Sequence, residues 1–151
     1  MGGNGSFSYF TSKTLGSYTK DRYKTIDYIG KTKVIKVTTS DMTKTPMNSF
    51  TSKVYYVVDP KHPEIIKHIS FYNKRTHGIS KSIDLVYDKN GNFVGAHTHR
   101  WQLNGSNEYF RKSHDGRNHF EPTKTDWVYI NRALRYQSKH SKKQPSWKRK
   151  S

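Results

Sequence analysis

The chain has 151 residues, with 28 Lys and Arg against 11 Asp and Glu, a formal net charge of +17, and only 31% hydrophobic residues. That length sets an expectation of one domain burying roughly two-thirds of its unfolded surface, with a core that draws on the 11 Tyr where aliphatic side chains would usually serve. The lack of cysteine excludes disulfides, thiolate metal sites and cysteine nucleophiles, and the positive excess calls for a negatively charged partner, most commonly nucleic acid.

Residues 1–12 open with Met1-Gly2-Gly3-Asn4-Gly5-Ser6 and read as a flexible Gly-rich leader. It lacks the basic start and apolar stretch of a secretory signal, and no run is long enough to span a membrane, so a soluble cytoplasmic protein is expected. Phe7 to Tyr28 has no sustained period and reads as irregular, with room for one short strand. Lys33 to Thr39 is β-branched enough for a strand, and Lys53 to Asp59 (KVYYVVD) is a stronger one, stopped by Pro60. Asp41 to Ser49 has loop composition, and Lys61-His62-Pro63 reads as a tight connection into a strand at Ile65.

From Ile65 to Trp101 apolar and polar residues alternate in three runs, a pattern that predicts an antiparallel meander. Asn90-Gly91 supplies the residues that tolerate positive φ in its second turn. In the last strand the period of two puts Phe93, His97, His99 and Trp101 on one face and Val94, Ala96, Thr98 and Arg100 on the other. Residues 102–121 have loop character and carry Lys112, His114, Asp115, Arg117 and His119. A helix follows, capped by Thr125 or Asp126, with Trp127, Ile130, Ala133 and Leu134 on one face and Arg132 and Arg135 towards the other. Residues 138–151 hold six Lys or Arg and no acid, and read as a disordered basic tail. The expected fold is therefore α+β: an antiparallel sheet of about five strands with one C-terminal helix packed on it, the single domain spanning residues 13–137.

His97-Thr98-His99 is the pattern that most resembles chemistry. Two imidazoles on one strand face can serve as general acid and base in metal-independent RNA cleavage, one taking the 2′-hydroxyl proton and one protonating the leaving oxygen. Cations are needed for the charge developing on phosphorus, and Arg100, Lys112, Arg117 and His119 are the candidates. Arg132, Arg135, Lys142, Lys143, Lys148 and Arg149 are candidates for further nucleic-acid contacts. This reading needs no cofactor and assigns no metal. Two alternatives stay open. His97 and His99 could share an ion with His68, His114, Asp115, His119 or Glu121, or they could be structural residues on a half-exposed sheet. His62, His68, His77 and His140 read as surface or turn residues, and Asp84 either orients a histidine or, the favoured alternative, pairs with a lysine.

Pro46-Met47, Lys53-Val54-Tyr55 with Val57, the run from Ile66 to Tyr72, Ile83-Asp84-Leu85 and His97-Thr98-His99, followed by a helix, form an ordered set. In that order they resemble a family of small proteins of prophages and mobile elements in Gram-positive bacteria, similar to domains attached to phage head-morphogenesis proteins. The family is richer in histidine where this chain carries Asp84-Leu85-Val86-Tyr87-Asp88. The resemblance implies a phage-type origin and, by association, a ribonuclease-like toxin in a bacterial host cell, with RNA favoured over DNA as partner and an inhibitor or host protein as a further one. The rival expectation is a non-enzymatic nucleic-acid binder or a phage accessory protein that binds a host protein.

Overall fold

A computed structural model describes residues 7–8, 23–38, 45–49, 51–103, 109–111 and 120–143. Within them lie strands β1 (Phe7–Ser8), β2 (Tyr23–Ile29), β3 (Thr32–Val37), β4 (Asn48–Ser49), β5 (Val54–Asp59), β6 (His62–Tyr72), β7 (Ile79–Tyr87), β8 (Phe93–Leu103) and β9 (Tyr109–Arg111), and helix α1 (Lys124–Lys143). The class is α+β as expected, but the sheet is larger and mixed. Seven strands run in the order β2-β3-β5-β6-β7-β8-β9, and β1 and β4 form a separate two-stranded ladder. β3 and β5 are parallel, where a fully antiparallel sheet was expected. The chain cannot join parallel strands by a hairpin, and residues 38–53, which include β4, make the crossover. β1 also lies inside the stretch read as a flexible leader.

The sheet is covered on both faces, which explains why β5 reads as a nearly continuous apolar run. Tyr56 and Val58 join Val34, Ile66, Ile69, Ile83 and Leu85 in a core closed by Ile130, Ala133 and Tyr136 of α1. Tyr55 and Val57 point the other way and join Tyr23, Ile35, Val37, Tyr72 and Ile79, with Met47 and Trp101 packed against them. Thr45–Ser49 lies along this second face: the Tyr72 hydroxyl donates to the Pro46 carbonyl at 2.6 Å, and Thr45 hydrogen-bonds Ser70.

Turns fix the meander. Asp59 Oδ1 accepts the Lys61 N–H at 2.9 Å, closing a two-residue turn, so β6 begins at His62 and Pro63 lies inside it. Asp88 Oδ1 accepts the N–H groups of Asn90 and Asn92, and Gly91 takes a φ of 86°, as the Asn-Gly signal predicted. Beyond that turn β8 departs from simple alternation. Val86 faces Gly95 but Tyr87 faces Phe93, so Val94 is an extra residue. Phe93 is thereby turned onto the helix side, where its ring meets Tyr87 and Trp127 edge-on, and it does not share a face with His97.

The helix cap also differs from expectation. Thr123 Oγ1 accepts the Asp126 N–H and Asp126 Oδ2 accepts the Thr123 N–H, a reciprocal capping box with Thr123 as the cap. Asp126, 1% exposed, accepts a further bond from Lys81 Nζ at 2.6 Å, tying the start of α1 to β7. The buried face runs through Asp126, Ile130, Ala133 and Tyr136-Gln137, which leaves Trp127 38% exposed at its edge. α1 continues through Lys143, so residues 138–143 belong to the helix and not to the tail assigned to them. No helix among the described residues is long and apolar enough to cross a membrane.

Removing the Asp126 carboxylate breaks the box and leaves Lys81 without this partner. Asp126→Ala should lower the unfolding free energy by about 2 kcal/mol in urea titrations. A loss no larger than that of an exposed helical substitution would refute this anchoring role.

Candidate active site

β6, β7 and β8 place His68 opposite Asp84 and Asp84 opposite His97. One pleat along β8, His99 stands opposite Ser82. Their sequence neighbours Ile69, Ile83 and Leu85 belong to the helix-side core, so His68, Asp84, His97 and His99 face away from α1. The helix therefore does not cover the histidines.

Asp84 is the hub of this face. His68 Nδ1 lies 2.8 Å from its Oδ1 and His99 Nε2 lies 2.7 Å from its Oδ2. Burial pushes the carboxyl up, but the two imidazole hydrogen bonds and the charge they bring outweigh it, holding Asp84 well below the usual carboxylate range. An ionised carboxylate only accepts, so both rings donate to it: His68 carries its proton on Nδ1 and His99 on Nε2. In a neutral His68 ring, Nε2 is then the nitrogen that accepts. His99 is 2% exposed and its ring lies edge-to-face with His97, centroids 5.7 Å apart. Beyond it, the Trp101 indole N–H donates to Ser82 Oγ at 3.1 Å.

Several expectations are corrected. Asp84 pairs with two histidines and not with a lysine, and His68 is a member of the cluster and not a bystander. His97 and His99 share a face with Trp101 as predicted, but His99 is too buried to meet a substrate. Arg100 stands on the opposite side of the sheet, its guanidinium 5.2 Å from the Phe120 ring centroid, and does not adjoin the histidines. Arg132 and Arg135 are exposed on α1, also on that opposite side. Lys112, His114, Asp115, Arg117, His119, Lys148 and Arg149 lie outside the described residues, as do the side chains of Lys142 and Lys143.

Asp84, His97 and His99 also offer one ligand atom each within 4.8 Å of one another, a two-histidine, one-carboxylate set of the kind that suits a divalent transition metal. Holding an ion there would require His99 to give up its Nε2 proton and its bond to Asp84. His68 would then remain on the outer carboxylate oxygen as an orienting partner. Glu121, a suggested ligand, is exposed and lies outside this set.

None of the protein-family models, curated proteins or solved structures compared with this chain matches it. Its function must therefore be argued from the cluster itself.

The acid behaviour of the fold should report on Asp84. Its folded pKa lies below the unfolded value of about 3.9, so its contribution is complete above about pH 5 and is lost as the pH falls through the folded value. Asp84→Asn, whose amide cannot accept from both rings, should cost about 2 kcal/mol at neutral pH, and the gap to the parent protein should narrow as both are acidified. Equal stability at neutral pH would show that the carboxylate anchors nothing.

Proposed function

We propose that the chain is a metal-independent ribonuclease whose acid and base are His68 and His97, with Asp84 and His99 as positioning residues. The observation that carries this reading is the straight row His68, Asp84, His97 across three adjacent strands, with the carboxylate bonded to His68 Nδ1. Strands about 4.8 Å apart put the outer two residues of such a row on the order of 10 Å apart at the backbone, a span that two imidazoles can close around one phosphate.

In the reaction His68 Nε2 removes the proton from a ribose 2′-hydroxyl, and Asp84 stabilises the imidazolium that forms. The 2′-oxygen attacks phosphorus and the 5′-oxygen leaves with a proton from His97, giving a 2′,3′-cyclic phosphate and a free 5′-hydroxyl. His99 contributes through Asp84, holding its second oxygen so that the first stays on His68.

Charge developing on phosphorus needs cations, and Arg100 is on the wrong side to supply them. The stretch that carries Lys112 and Arg117 is tied to β8 at both ends, since Arg111 pairs with Trp101 and Phe120 with Thr98. That attachment beside the histidine-bearing strand supports Lys112 and Arg117 as the residues that steady phosphate. The net charge of +17 and the resemblance to phage-borne toxin-like domains favour the same substrate.

RNA oligonucleotides should be cut in the presence of chelator, while DNA of the same sequence, lacking the attacking hydroxyl, should not. His68→Ala and His97→Ala should each slow cleavage by about 100-fold or more. Activity that requires added metal would favour the Asp84, His97 and His99 ligand set instead. Intact RNA under all these conditions would leave a non-enzymatic binder, of nucleic acid or of a host protein.

A further inference from the structure

A groove of about 760 Å³ lies on the helix side of the sheet, between the β2-β3 hairpin and the C-terminal half of α1. Its volume falls in the range of ligand-binding clefts. The cations along it are Lys31 from the hairpin and Arg132, Arg135 and Lys139 from the helix. Asp27 is its one carboxylate and is already engaged, its Oδ2 accepting the Tyr136 hydroxyl at 3.1 Å and lying 3.4 Å from His140 Nε2. The groove therefore presents a net positive surface whose single negative group is occupied by its own wall.

Service to the helix dipole does not explain these cations. Positive side chains help a helix end only within its last turn, and Arg132 and Arg135 lie more than one turn before Lys143. Nor do the described ion pairs account for them: no carboxylate among the described residues is bonded to Lys31, Arg132, Arg135 or Lys139. Asp27 and Ile29 of β2 turn towards α1 along the groove, and Tyr28 between them faces the other side of the sheet. Gly30, at a φ of 64°, turns the chain there with nothing near its Cα to crowd the rim.

We propose that this groove binds the phosphate backbone of nucleic acid, with Arg132 and Arg135 holding phosphates and Lys31 and Lys139 adding charge from both walls. Guanidinium forks match phosphate oxygens in pairs, and contacts to the backbone tolerate any sequence. The site lies on the face of the sheet opposite the histidine cluster, so it holds a different part of the strand from the nucleotide that would react. It shares with the ribonuclease reading only the premise that the partner is nucleic acid.

The test is binding of a fluorescent 2′-O-methyl oligonucleotide, which cannot be cleaved through its 2′ position, at several salt concentrations. The double substitution Arg132→Ala, Arg135→Ala should weaken binding about tenfold, and should flatten the slope of log affinity against log salt by about 1.4, the value for two single-strand phosphates. Tyr28→Ala, on the other face of the hairpin, should leave affinity and slope unchanged, and circular dichroism should show that all variants keep the helix. Lys31→Ala with Lys139→Ala provides an independent pair from both walls and should act in the same direction. Parent-like affinity and slope in both double variants would overturn the groove and leave the ribonuclease reading standing. Groove-dependent binding in a protein that cuts no RNA would sustain the groove and sink the catalytic reading. No binding by the parent protein would overturn the groove together with the premise that nucleic acid is the partner.

Discussion

The constraint on which everything else depends is the register of β6, β7 and β8. Side chains in a strand alternate, so a slip of one residue exchanges the two faces completely. In the observed register Ile69, Ile83, Leu85 and Ala96 meet the helix, while His68, Asp84, His97 and His99 meet one another on the far side. In a slipped β7, Asp84 would face the apolar underside of α1 with no imidazole to bond, at a cost of several kcal/mol for an unpaired buried charge. The turn at Asp88–Asn92 and the one at Asn73–Gly78, where the Asn73 side chain accepts two backbone N–H groups, pin the strands against such a slip. The free energy that assembles the hydrophobic core thus also assembles the polar cluster.

In so basic a chain five of the 11 acids are spent on architecture. Asp59 and Asp88 close turns, Asp126 caps the helix and holds Lys81, Asp27 ties β2 to α1 through Tyr136, and Asp84 binds two histidines. Each of these five carboxylates is satisfied locally, in a chain whose 28 Lys and Arg already outnumber its 11 Asp and Glu. Excess positive charge repels itself and weakens the compact state, a penalty that a polyanionic partner would relieve.

Much of this was legible from local pattern. The apolar run KVYYVVD, the Asn90-Gly91 turn and the helical period through Ile130 and Ala133 each follow from short-range chemistry, and each stands where the residues indicate. β2 was hidden because Lys24 and Asp27 interrupt its alternation and a bulge falls between Thr25 and Asp27. The parallel pairing of β3 with β5 depends on a crossover that no local period encodes. Phe93 was misplaced by one inserted residue, Val94, whose bulge inverts the alternation that holds from Gly95 onward. The partnership of His68 with Asp84 escaped for a related reason: the two are brought level across a long turn and a register shift at Phe71-Tyr72. His97 and His99, two apart on one strand, needed no such information.

Under the proposed ribonuclease reading, the two faces of the sheet divide the work. One carries the helix, its capping network and the basic groove; the other carries the imidazoles and the carboxylate that aligns them. Contacts proposed for the groove would be remote from a reacting phosphate, and they would act equally on the bound substrate and on its transition state. Such uniform binding raises kcat/KM through a lower KM and leaves kcat alone. Only groups on the histidine face can change their interaction as charge builds on phosphorus. Among the four residues there, burial makes the last distinction: the His99 side chain is 3% exposed beside Asp84, whereas that of His68 is 23% exposed, and the more accessible ring is the one the proposed mechanism uses as base.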